Sequence, residues 1–287
     1  MRRLRPVRGK ERRKKPIHDG CFEIRNPARL LVVAPRVPCP VKSEHISDAV
    51  ASVIGPDFTI AFQPIVDLEL REVFAHEALV RGLHGEGAYE VLGKVQAHHR
   101  FAFHEACRVK SIEMASMLGM RSRLSLNVAP NDIAGPAECF HTAIRTAERV
   151  GFPVDRLMFE LTEGEPVADL PALAATFRSF QRFGFTSAID DFGAAYAGFE
   201  LLAAFQPDVV KLDVSFVRDI HLSAVRFTIV KGFVAICDEL RIQVIAEGVE
   251  APEEVDVLRR LGVRLFQGFL FARPGTAVLP EVAWDAA

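Results

Sequence analysis

Seven places along the 287-residue sequence put a carboxylate, an amide or a lysine at or near the end of a short apolar run. They are Glu77, Asn127, Glu160, the adjacent Asp190 and Asp191, Lys211 with Asp213, Glu247 and Gln267. Taken singly, a polar residue at such a place is a cap or turn former. As a set they share an oxygen-rich character that chance does not readily supply. Five or more carboxylates in one cleft repel one another unless they are protonated or bridged by cations. Oxygen ligands with one amide and no His or Cys suit Mg²⁺ or Mn²⁺ better than zinc. Asp190 and Asp191 could serve one ion each, or Asp190 could bridge two. Two ions about 3.5–4 Å apart clamp the attacking and leaving oxygens of an in-line displacement at phosphorus. A lysine among them orients the attacking water or neutralises charge on the phosphoryl oxygens.

Such chemistry requires elements that bring seven distant places to one rim. The runs TIAFQPIV, VFAHEALV, LSLNVA, LMFELT, TSAIDD, VVKLDV, IQVIAEGV and RLFQGFLF alternate with segments of helical period at 89–118, 132–150, 167–183, 223–240 and 252–261. Near-continuous apolar strands between helices predict an α/β fold with a parallel sheet covered by helices. Eight strands over about 220 residues is the size of a TIM-like (β/α)8 barrel, in which every parallel strand delivers its C-terminal end to one mouth. An open doubly wound sheet is the alternative, because strand count does not prove closure. The first two runs are joined only by residues 67–72, too short for a crossover, so an irregular antiparallel first strand is expected.

The expected layout is a basic tail over residues 1–20, an N-terminal extension of unassigned role over 21–57, the barrel over 58–276 and a C-terminal tail over 277–287. Residues 1–18 carry nine Lys/Arg and one Glu, a local charge of +8 against −10 for the remainder. An acidic body with a basic arm excludes a nucleic-acid-binding domain proper, and the arm reads as disordered and solvated. Its alternative is weak attachment to an anionic surface or a partner. With 49% apolar and 25% charged residues, the chain is excluded from the wholly disordered, collagen-like and disulfide-scaffold classes. No stretch reaches the roughly 18 apolar residues of a membrane span, and no apolar segment follows the basic N-terminus as a secretory signal requires. Cys21, Cys39, Cys107, Cys139 and Cys237 are scattered without CxxC spacing, which fits a reducing, cytoplasmic setting. Neither GxxxxGK[ST] nor GxGxxG nor GxSxG is present to cradle a nucleotide or present a serine nucleophile. His98, His99 and His104 read as surface or partly packed residues, and the 22 phenylalanines as packing.

Glu77-Ala78-Leu79 followed by Arg81 resembles the signature of the EAL-domain cyclic di-GMP phosphodiesterases. The resemblance continues in order through QPIV (63–66), LNVAP (126–130), ELTE (160–163), DDFG (190–193), VKLD (210–213), AEGVE (246–250) and QGFLFARP (267–274). One tripeptide would be worthless; eight segments at family spacing are specific. The segments GAYEVLGKV and FAFHEACR also resemble the branch joined to BLUF photoreceptor modules, though none fits into the 57 or so residues before the barrel.

The resemblance implies a barrel that hydrolyses one phosphodiester of cyclic di-GMP to linear pGpG, working as a homodimer. It implies Mg²⁺ or Mn²⁺, two per site, with Ca²⁺ occupying the site but supporting turnover poorly. Glu77, Asn127, Glu160 and Asp190 match first-metal ligands; Asp191 and Glu247 match the second side, with Asp190 bridging. Lys211, Glu247 and Gln267 match the catalytic positions around the attacking water. Gln63, Leu79, Arg81 and Asp213 match substrate contacts, and Glu163 and Glu250 match loop anchors. Two departures stand out: Ala195, where the loop after DDFG usually has glycine, and His104, where relatives usually have Asp. Ala195 supports an alternative, a low-activity module that senses cyclic di-GMP or contacts a protein partner. The controlling signal would come from a separate regulatory protein, from the tail or from dimerisation.

Overall fold

β1 (Phe58–Asp67) and β2 (Glu72–Gly82) form an antiparallel hairpin running from Phe58↔Gly82 to Asp67↔Glu72. Asp67 shapes its turn, Oδ1 accepting from the backbone N–H groups of Glu69 at 3.0 Å and Leu70 at 3.1 Å. This is a computed structural model, and it describes residues 57–130, 138–162, 169–194 and 198–287, the side chains of 138–139, 179–182 and 198 apart.

From β2 onward the strands run parallel in sequence order, through β3 (Arg123–Val128), β4 (Leu157–Thr162), β5 (Thr186–Phe192), β6 (Val209–Leu212), β7 (Gln243–Ala246) and β8 (Leu265–Phe266). β8 then pairs antiparallel with β1 at Val66↔Phe266 and Asp67↔Leu265. Because β1 also pairs with β2, the sheet closes into a barrel and is not the open doubly wound alternative. β9 (Gly275–Thr276) extends the edge of β1 that the short β8 leaves free.

The helical stretch expected over 89–118 is broken. α1 (Ala88–Gly93) ends after six residues, Gln96 is extended at ψ 145, and a 3-10 turn over Ala97–His99 precedes α2 (Arg100–Met117). The cause is local packing. Val91 and Val95 turn onto Phe103 in a small cluster of their own, which a continuous helix would separate. α3 (Glu138–Val150) and α4 (Leu170–Phe183) cover the C-terminal parts of the segments expected at 132–150 and 167–183, whose first residues include undescribed ones. α5 (Gly198–Ala204), α6 (Val214–Val217), α7 (Ala224–Leu240) and α8 (Pro252–Arg260) complete the α-helices of the described residues.

Phenylalanines fill the space between strands and helices. Phe159 meets Phe140 at 4.7 Å and Phe185 at 5.1 Å, Phe177 stacks on Phe205 at 4.6 Å, and Phe192 stacks on Phe233 at 4.4 Å. After β9 the chain returns along the barrel, Ala283 N–H donating to the Phe271 carbonyl at 2.9 Å while Trp284 packs on the core. No helix among the described residues is long and apolar enough to cross a membrane.

Candidate active site

Side chains alternate faces along a strand, so an inward residue is followed by another two positions on. Ile65, Ala75, Met158, Ala188, Val209, Ile245 and Leu265 share one buried apolar cluster. Two residues beyond six of them stand Glu77, Glu160, Asp190, Lys211, Glu247 and Gln267. On the reversed β1, Gln63 stands two residues before Ile65. A greasy floor is thus overlaid by a polar layer, and both follow from the period of the strands. On β3, Asn127 lies beside Glu160 in register and donates from Nδ2 to Glu77 Oε1 at 3.2 Å.

Asp190 and Asp191 break the alternation. The register of β5 against β6 shifts between Ile189 and Phe192, and Asp191 has φ 55. This bulge turns Asp191 toward the side that Asp190 already faces, and Asp tolerates the left-handed conformation better than most residues. The loop behind Glu247 is equally constrained. Gly248 has φ +65, and a Cβ there would sit 2.4 Å from Val214 Cγ2.

Lys211 stands at the centre, 1% exposed. Its Nζ lies 2.8 Å from Asp190 Oδ1, 2.8 Å from Glu247 Oε1, 3.0 Å from Glu160 Oε2 and 3.3 Å from Glu77 Oε2. Gln267 Nε2 donates to Glu77 Oε2 at 2.7 Å and to Gln63 Oε1 at 3.2 Å, and Gln63 Nε2 donates to the Ala272 carbonyl at 3.1 Å.

One ammonium does not balance these acids. Burial, with Glu77 and Asp190 adding repulsion against the pull of Lys211, pushes Glu160 up to about 8. Burial likewise raises Asp190 and lifts Glu247 well above the carboxylate range, and burial with the Asp190 charge pushes Asp191 up to about 6. Burial works in the same direction on Glu77, but Lys211, Gln267 and Asn127 outweigh it and hold that carboxyl below its ordinary value. Burial would lower Lys211, yet Asp190, Glu160, Glu247 and Glu77 keep it well above its usual range.

This excess of negative charge fits a cationic occupant. One oxygen each from Glu77, Glu160 and Asp190 lie within 4.8 Å of one another, as do oxygens from Asp190, Asp191 and Glu247, so Asp190 belongs to both groups. Glu160 Oε1 and Gln267 Oε1 are buried without a hydrogen-bond partner. Both groups offer only oxygen, the donor set of hard divalent cations. His98 and His99 contact each other at 3.9 Å on the surface and join neither group.

A cavity of about 170 Å³ opens beside this layer, lined in part by Gln63, Leu79, Glu250 and Phe269. Arg81 is half-buried and donates from Nη1 to its neighbour Val80's carbonyl at 2.8 Å. Asp213 Oδ1 accepts from Ser215 N–H at 2.9 Å and caps α6. Glu250 pairs with Arg218. Glu163 and Ala195 lie outside the described residues. Phe269 is absent from the residues singled out by the sequence. It is 45% exposed on the cavity wall with the Arg273 guanidinium 4.2 Å from its ring centroid, unlike the packed phenylalanines. Its place directly after Gln267-Gly268 was the available signal.

Fold and site define a class: a closed α/β barrel whose mouth carries, on the strand ends, two groups of carboxylates able to hold cations. The family follows from comparison with known proteins. The EAL domain family model matches residues 44–274, and the chain belongs to the EAL-domain family. It is 29% identical over 239 residues to the blue light- and temperature-regulated antirepressor BluF of Escherichia coli K12, covering 83% of this chain and 59% of that protein. It is 35% identical over 168 residues to the cyclic di-GMP phosphodiesterase PdeR of the same organism, covering 58% and 24%. The chain thus spans less than two thirds of the length of these curated relatives. A standalone EAL protein from Vibrio cholerae O395, solved with c-di-GMP bound, is 44% identical with a TM-score of 0.77 over 80% of this chain and 98% of that one. Klebsiella pneumoniae BlrP1, solved at pH 9.0 with manganese and cyclic di-GMP, is 33% identical with a TM-score of 0.74 over 80% and 60%. BlrP1 has also been solved with calcium and cyclic di-GMP.

Proposed function

We propose that the chain is a metal-dependent phosphodiesterase that hydrolyses cyclic di-GMP to linear pGpG. The observation that carries this reading is the pair of carboxylate groups sharing Asp190 at the mouth of an EAL-family barrel. Glu77, Asn127, Glu160 and Asp190 would hold one Mg²⁺ or Mn²⁺, and Asp190, Asp191 and Glu247 a second; when bound, such ions supply Lewis acidity at the phosphoryl oxygens. Ca²⁺, with looser geometry, would fill the site and support turnover poorly. Lys211 orients the attacking water, Glu247 accepts its proton, and Gln267 holds the substrate side of the same layer. Gln63, Leu79, Arg81 and Asp213 grip the dinucleotide, the arginine through its planar fork. Water adds to phosphorus as the bond to the ribose 3′-oxygen breaks; the departing oxygen takes a proton from solvent and Glu247 returns its own to solvent, leaving a 3′-hydroxyl and a 5′-phosphate. Glu163 and Glu250 act as loop anchors.

The barrel over 58–276 is the catalytic unit, acting in the cytoplasm as a homodimer under a separate regulatory protein. For the dimer, support comes from α7. Val225, Ile229, Ile236 and Leu240 repeat at helical spacing along it and are 69%, 49%, 42% and 41% exposed. The test is incubation of purified chain with cyclic di-GMP and Mn²⁺. The wild type should yield pGpG on chromatography, and Glu77→Ala and Lys211→Ala should lose at least 100-fold in turnover. Product formation that survives both substitutions would mean that the site is elsewhere. A second reading, a cyclic di-GMP sensor without turnover, draws on the antirepressor relative; binding without product in the wild type would favour it.

A further inference from the structure

Glu254 lies in the first turn of α8 and is 1% exposed. Its two oxygens take three backbone N–H groups from two separate stretches of chain. Oε1 accepts from Asp219 at 2.9 Å; Oε2 accepts from Glu250 at 2.9 Å and from Ala251 at 3.1 Å. The Ala251 bond is the reach-back half of a capping box, ordinary for an acid at this helical position. The other two are not needed to start a helix. Asp219 belongs to the connection between α6 and α7, where it is held at φ 54. Glu250 belongs to the turn after β7, three residues past Glu247.

Arg218 ties the same two stretches a second time. Its guanidinium pairs with the Glu250 carboxylate, and Nη2 donates to the Gly248 carbonyl at 3.3 Å. The turn that carries Glu247 is held by backbone bonds of Glu247 to Leu212 and of Val249 to Gln267 and Leu270, and its side-chain ties, at Gly248, Glu250 and Ala251, run to Arg218 and Glu254. We infer that Glu254 is a positioning residue for Glu247, joining the connection after β6 to the turn after β7 so that this carboxylate stays within reach of Asp190 and Asp191. The inference rests on the reading of these acids as a two-cation site. Only a side chain with two acceptor oxygens satisfies all three donors; glutamine offers one acceptor and turns an NH₂ group toward an N–H.

Calorimetric Mn²⁺ titration of the full chain, with steady-state turnover of cyclic di-GMP, tests it. The wild type should take up two Mn²⁺. Glu254→Ala should weaken one of the two steps about tenfold, the lower end of what loss of a ligand's supporting partner costs, and leave the other unchanged. It should lower kcat with little change in KM, and Glu254→Gln should fall between. Glu253→Ala removes an exposed acid from the same helical turn and should move neither readout. A Glu254→Ala chain with a lower melting temperature but two wild-type Mn²⁺ steps and wild-type kcat would reduce Glu254 to a helix cap and overturn the inference. If that variant does not fold, Glu254→Gln and Arg218→Ala carry the same expectation, and unchanged Mn²⁺ steps in both would overturn it. A wild type that takes up fewer than two Mn²⁺ would instead contradict the two-cation reading and remove the basis of this inference with it.

Discussion

Lys211 sets one positive charge against four carboxylates, all within 3.3 Å of its Nζ. Ions removed from water are expensive, and attraction repays that cost only where charges balance. Burial, with the repulsion of neighbouring acids, pushes Glu160 up to about 8 and Asp191 to about 6, so without divalent cations protons restore part of the balance. A carboxyl raised in the folded state binds its proton more tightly there than in the unfolded chain. Stability of the metal-free protein should therefore fall as pH rises from the ordinary carboxylate range toward 8. Cation binding favours the ionised form and so opposes this trend. The melting temperature in chelator should drop between pH 6 and pH 8.5, while the gain produced by Mn²⁺ grows over the same interval; a Mn²⁺ gain that is flat with pH would contradict this. Asp191 adds a conformational prediction. Asn shares its tolerance of positive φ, whereas Ala does not, so Asp191→Ala should be less stable than Asp191→Asn by about 1 kcal/mol in denaturant titrations. The acids themselves were legible in the sequence as the polar ends of apolar runs, and Glu77, Glu160, Asp190 and Glu247 each follow an inward apolar residue by two positions. The turn that aims Asp191 was not: two adjacent residues of a regular strand face opposite ways, and nothing in Asp190-Asp191 alone announces a bulge.

The elements were legible to different degrees, for reasons of packing. The eight strands are apolar runs bounded by helical periods, and the short link over residues 67–72 left the first two no arrangement but a hairpin. Closure was not legible, since it depends on the pairing of β8 with β1 through two residue pairs. Nor was the break between α1 and α2, where the apolar spacing continues but Val91 and Val95 fold onto Phe103. The turns after strands carry the sharpest constraints. Gly248→Ala would place a methyl 2.4 Å from Val214 Cγ2 at φ +65. It should cost 1 kcal/mol or more and lower pGpG formation by displacing Glu247. Adding Val214→Ala removes the Cγ2 contact but leaves Cβ of residue 214 at 2.9 Å and the φ strain in place, so the double variant should recover only part of the stability. Full recovery on denaturation would show that the Cγ2 contact, and not the φ, made glycine necessary.

At the scale of the whole molecule, α7 is apolar on the face that packs inward and again along the outward stripe of Val225, Ile229, Ile236 and Leu240. A stripe of this kind on a monomer would be left in water. Light scattering should report twice the chain mass for the wild type and a single chain for Ile229→Glu combined with Ile236→Glu. A monomeric wild type at micromolar concentration would remove the dimer. The barrel's larger task is to hold side chains from the ends of eight strands in one layer, and that is open to direct observation. Anomalous diffraction from a crystal soaked in Mn²⁺ should show two peaks, one among Glu77, Asn127, Glu160 and Asp190 and the other among Asp190, Asp191 and Glu247. A mouth without density at saturating Mn²⁺, or ions bound only at other places on the chain, would contradict the assignment of those acids.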